Sequence, residues 1–102
     1  MKYPTKRDLK AIEEWKCSDG EAELLKLLSF IESIWEYADI GFFRLTGKKI
    51  LKLQLHTGGW SGNEEIIGAL KNNKHLFWHV LWEKSYRGGH YYFTIPNKLF
   101  KA

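Results

Sequence analysis

Two glycine-glycine turns carry most of the side chains that could do chemistry: His56-Thr57-Gly58-Gly59-Trp60-Ser61-Gly62-Asn63-Glu64-Glu65 and Tyr86-Arg87-Gly88-Gly89-His90-Tyr91-Tyr92. Imidazole titrates near neutrality, so His56 and His90, if joined by Glu64 or Glu65, have the residue types of a general acid-base group. Trp60 and Arg87 belong to the side chains that most often anchor interfaces. Trp60, Arg87, His56, Asn63, His90 and Tyr92 therefore form the candidate binding set, with no residue assigned a catalytic role.

Other chemistries fit less well. A glycine-rich turn opening a helix can cradle phosphate. Here, however, no Gly-Lys-Ser/Thr follows and the three-glycine dinucleotide spacing is missing. Glu64 and Glu65 would occupy the first helical turn, complement the dipole themselves and repel a phosphate. His75 and His79 have the i, i+4 spacing of a helical zinc pair, but their aromatic and β-branched surroundings predict a strand, where they would stand roughly 13 Å apart. No metal or cofactor is expected. Arg87-Gly88-Gly89 occurs once, unlike the repeats of RNA-binding tails, and its glycines suit a hairpin turn.

The elements that position these residues follow from periodicity. Pro4-Thr5-Lys6-Arg7-Asp8 has the form of a capping box, with Asp in the Glu position, ahead of Leu9, Ile12 and Trp15 at helical spacing. Ser18 to Glu21 repeats the device, and Leu24, Leu27, Leu28, Ile31, Ile34, Trp35 and Ala38 continue at a period near 3.6. From Gly41 the period becomes two, giving a hairpin and a strand in which Leu51, Leu53 and Leu55 alternate with Lys52, Gln54 and His56. Ser61 and Glu64 predict a third helix from Gly62 to Asn72. Leu76 to Trp82, apolar on both sides, reads as a central strand, and His90 to Ile95 as the last, stopped by Pro96. The expectation is one α+β domain over residues 1–102, with a helical part at 1–39 and a ββαββ part at 41–96. Its order is α-α-β-β-α-β-β, and its four-stranded mixed sheet is covered by helices mainly on one face. The face bearing Lys52, Gln54 and His56 stays open.

At 102 residues there is room for one modest core. The net charge of +4 comes from 16 basic and 12 acidic residues without a dense basic tract, so charge reads first as solvated surface. With Cys17 as the only cysteine, neither an intramolecular disulfide nor a thiolate-rich metal site can form. The chain has no charged-then-apolar leader and no apolar run of spanning length, which predicts a soluble, cytoplasmic protein with no membrane role. Apolar side chains on more than one side of the second helix, including Leu25, Phe30 and Tyr37, suit ordinary packing or a homodimer.

The string Leu55 to Ile67, followed by Phe77-Trp78, Trp82 and Arg87-Gly88-Gly89-His90-Tyr91, resembles small bacteriophage- and prophage-encoded proteins. The likeness spans roughly the second half of the chain and implies a phage or mobile-element origin without an activity. The function expected is a non-enzymatic binding module that contacts a protein or nucleic acid through its two glycine-rich aromatic loops. The alternative is a small enzyme using His56, His90 and Glu64 or Glu65.

Overall fold

The computed structural model describes residues 3–96; the outer ends of the unit expected over 1–102 lie outside the described residues. Thr5 caps α1 (Lys6–Glu14) with a complete capping box: its hydroxyl accepts from the Asp8 N–H, and the Asp8 carboxylate accepts from the Thr5 N–H. α2 (Glu21–Ile34) buries Leu24, Leu27, Leu28 and Ile31. The expected Ser18 box does not form, because Gly20 at φ 130° is the N-cap and offers no side chain. The helix also stops at Ile34, short of Ala38. This stop drops the Trp35 indole into the core, where its Nε1 donates to the His56 carbonyl at 3.3 Å. Tyr37 then turns left-handed at φ 64°, and a 3₁₀ turn at Ala38–Ile40 leads into the sheet.

β1 (Phe43–Thr46) and β2 (Ile50–His56) form the expected hairpin, and α3 (Ser61–Lys71) follows the first glycine turn. Its cap is Trp60 without a side-chain bond; the expected Ser61-Glu64 box is replaced by a contact of the Ser61 hydroxyl with the Tyr3 hydroxyl at 3.1 Å.

The largest departure from the sequence reading lies at residues 76–82. Phe77–Leu81 is a short helix, α4, and the strand β3 begins only at Trp82 and ends at Tyr86. The reason is Asn73. Its Oδ1 accepts from the His75 and Phe77 N–H groups at 2.9 and 3.4 Å, while its Nδ2 donates to the carbonyls of Ile12 and Trp15 at 2.7 and 3.1 Å. Leu76 is left-handed at φ 64°, which breaks any strand there, and Phe77 and Leu81 are buried one helical turn apart. The apparent alternation of Trp78, Val80 and Trp82 is an edge of this helix running into a strand.

The last strand, β4 (His90–Pro96), pairs antiparallel with both β2 and β3. The sheet order is β1-β2-β4-β3 and every neighbouring pair is antiparallel, so the mixed sheet is corrected to an antiparallel one. β2 and β3 do run the same way, as a helical crossover requires, but β4 inserts between them. β3 is accordingly an exposed edge strand rather than a central one.

Ile12, Leu24, Leu27, Ile31, Ile66, Leu70, Phe77 and Leu81 from the helices share one core with Leu53, Leu55, Phe93 and Ile95 from the sheet. Because side chains alternate along a strand, that cover leaves the opposite face uncovered. Arg44, Lys52, Gln54, His56, Lys84, Tyr86, His90, Tyr92 and Thr94 share that face by register.

Candidate functional site

The two glycine turns meet at one end of the sheet. His56 lies opposite His90 in the β2-β4 register, and one residue on the Thr57 N–H donates to the Gly89 carbonyl at 2.9 Å. Close approach explains the glycine: a Cβ at Gly89, where φ is +81°, would collide with the Thr57 side chain.

Asn63 holds the junction from inside. It is fully buried, its Oδ1 accepts from the Glu36 N–H at 2.9 Å, and its Nδ2 donates to the carbonyls of Glu36 and Thr57 at 3.1 and 3.4 Å. Asn63 is therefore a buried clamp rather than a contact residue, tying the turn at Glu36, the first glycine turn and α3 together. Trp60 is half-buried, its ring 5.5 Å from Tyr3 and 6.4 Å from Tyr37 between centroids, so part of its surface is already spent on packing. Arg87 stands exposed at the tip of the β3-β4 turn.

The imidazoles of His56 and His90 are in contact, Nδ1 to Nδ1 at 2.8 Å, and His56 Nε2 faces Gln54 Oε1 at 3.4 Å. A hydrogen bond between the rings needs one of them to donate its Nδ1–H and the other to accept it, so the two imidazoles hold complementary tautomers at Nδ1. Burial lowers the His56 pKa below its ordinary value, with the neighbouring His90 and Arg44 charges adding to the effect. Each of these disfavours the charged form of His56. Among the described residues no hydrogen bond joins Glu64 or Glu65 to either imidazole, and both carboxylates are exposed on α3.

Outward from the histidines the open face becomes an aromatic and basic surface. Tyr92 stands edge-on to His56 at 5.9 Å and to Tyr86 at 5.6 Å, and Lys84 Nζ lies over the Tyr92 and Tyr86 rings at 5.4 and 5.6 Å. Further along, Glu83, displaced by an irregularity in β3, accepts from the Thr94 hydroxyl and pairs with Lys52 at 3.1 Å. The Thr94 bond, followed by Lys52, holds the Glu83 carboxyl below the usual carboxylate range. The periodicity of β2 pointed to this face, but Lys84, Glu83 and Arg44 were missed. Their place depends on the β3 register, and the period-two placement of Lys84 and Tyr86 about the Gly88-Gly89 turn was the available signal.

His79 lies on α4 and His75 just before it, so the strand spacing used against a metal pair does not apply. Among the described residues no three His, Cys, Asp or Glu side chains gather as a metal site. No helix among them is long and apolar enough to cross a membrane. Comparison with protein-family models, curated proteins and solved structures gives no match to the chain.

Proposed function

We propose that this chain is a non-enzymatic binding module for single-stranded nucleic acid, which lies across the uncovered sheet face and reaches the two glycine turns. The observation that carries this reading is the interleaving of rings and cations on one solvent-facing side: Tyr92, Tyr86, His56 and His90 among Lys84, Lys52 and Arg44, with Arg87 exposed at the adjoining turn. Splayed bases stack on such rings whatever their sequence, and cations track the backbone between them. A protein ligand has less to gain there, because the charges are nearly all of one sign. The enzyme reading loses support from the same site: the two Nδ1 atoms are taken up with each other, and among the described residues no carboxylate joins the pair. Together with the phage-type resemblance of the second half, this reading puts the ligand in the cytoplasm of a bacterium carrying the element.

The test is fluorescence anisotropy with labelled oligo(dT) and oligo(U) over a salt series. About three to four phosphate contacts give a slope of log K against log salt of roughly −2 to −3 for single strands. Tyr92→Ala should weaken binding about 5- to 150-fold, the range of about 1–3 kcal/mol for one stacked base. Absent or salt-independent binding contradicts the proposal.

A further inference from the structure

A groove of about 630 Å³ runs between α2 and the edge strand β1. It lies on the helix-covered side, away from the open face. Leu25, Leu28, Phe43 and Leu45 give it an apolar floor, and Ser29 and Glu32 of α2 lie along its polar rim. The backbone beside it is equally informative. His56 N–H donates to the Phe42 carbonyl at 2.8 Å. Antiparallel pairs alternate between bonded and non-bonded residues, so Arg44 and Thr46 turn their peptide groups toward β2, and Phe43 and Leu45 turn theirs away. The opposite strand agrees, since Thr57 N–H points the other way, to Gly89. Two N–H and two C=O groups on β1 thus face the groove with no strand beside them among the described residues.

The other sheet edge is guarded differently. β3 carries an irregularity at Glu83 and adjacent charges at Glu83 and Lys84, devices that discourage pairing. β1 has neither a bulge nor a proline.

The geometry points to a docking site for an extended peptide that adds a strand to β1 under α2 and reads apolar-acidic-apolar. Its backbone would satisfy the Phe43 and Leu45 groups, the mode called β-augmentation. Residues opposite Phe43 and Leu45 share their face and enter the groove against Leu25 and Leu28. The residue between them lies opposite Arg44 on the other face, where an acidic side chain complements the guanidinium. Five residues span about 17 Å, enough to cover β1.

The probe is a fluorescein-labelled pentapeptide alternating leucine and glutamate, with leucine first. Saturable binding is expected, with protection of the Phe43 and Leu45 amides from hydrogen exchange. A peptide N-methylated on alternate residues, which cannot donate to β1, should bind at least about tenfold more weakly, as loss of about two hydrogen bonds implies. Leu45→Pro removes an outward N–H and should have the same effect, and Arg44→Glu should transfer preference to a leucine-lysine peptide. Excess oligo(dT) should not displace the probe, which separates this site from the open face. No binding at millimolar peptide, or equal binding of the N-methylated form, overturns the proposal. So does a concentration-dependent dimer that Leu45→Pro dissolves, since a second copy of the chain would then occupy the edge.

Discussion

Replacing Asn63 by Ala should unfold the junction rather than weaken a contact. The substitution deletes two well-formed hydrogen bonds, at 2.9 and 3.1 Å to the Glu36 backbone, and a long one at 3.4 Å to Thr57. The long bond contributes little. Each of the other two is worth about 1 kcal/mol, and the loss of both from the partly buried Glu36 backbone adds about 1–2 kcal/mol of desolvation, for a total of about 3–4 kcal/mol. At about 4–8 °C per kcal/mol for a domain of this size, the thermal midpoint falls by about 12–32 °C. Asn63→Asp should rescue little, because its carboxylate keeps the acceptor for Glu36 N–H but faces two carbonyls where Nδ2 donated. Urea denaturation followed by Trp fluorescence gives the stability, and oligonucleotide anisotropy on the folded fraction gives the binding. A stability loss below about 0.5 kcal/mol, within the scatter of ordinary surface substitutions, together with a large loss of oligonucleotide affinity, would refute the clamp and return Asn63 to the contact surface.

Glu83→Gln should tighten oligonucleotide binding and steepen its salt slope by roughly 0.7, because Lys52 is released to a phosphate; an unchanged slope contradicts the ion pair's role. Gly89→Ala should cost about 2–4 kcal/mol by strain at φ +81° plus overlap with Thr57, whereas Gly59→Ala, whose Cβ meets nothing within 4 Å, should cost only about 1–2 kcal/mol. Equal midpoints for the two variants would refute the close approach. The His56 pKa is lowered in the folded chain, so the unfolded chain binds more protons below about pH 6.5 and stability falls as pH drops through that range toward the folded value. Thermal melts from pH 7.5 to 5 should show this loss in the native sequence and less of it in His56→Gln; parallel curves would contradict it.

What could be read from sequence was what short-range physics dictates. Thr5 and Asp8 face each other across one helical turn, and Leu51, Leu53 and Leu55 alternate within one strand, so both features were legible. Residues 76–82 were not, because six apolar residues around His79 fit either period. The helix is selected by Asn73, which reaches the Ile12 and Trp15 carbonyls more than fifty positions away in the chain. The central placing of the third strand failed for the same reason: the strand that lies beside β2 is β4, which follows β3 in the chain and leaves it at the edge. At the site, whether the two glycine turns share a sheet end was open in the sequence and is decided by the Thr57-Gly89 bond, whereas the open face follows from β2's alternation. Asn63 misled because a polar residue in a glycine-rich turn looks solvent-facing until the chain returns at Glu36 to bury it. The β1 edge groove carried no local signal at all, since it exists only where α2 passes Phe43 and Leu45.

The central claim is that the uncovered sheet face is where single-stranded nucleic acid is held. Backbone and side-chain NMR shifts recorded while oligo(dT) is titrated at low salt test it residue by residue. The account predicts that the largest changes fall on Lys52, Gln54, His56, Lys84, Tyr86, His90 and Tyr92, with Arg87 beside them and α1 and α2 silent. Changes concentrated on the helical side, or none at all, would contradict it.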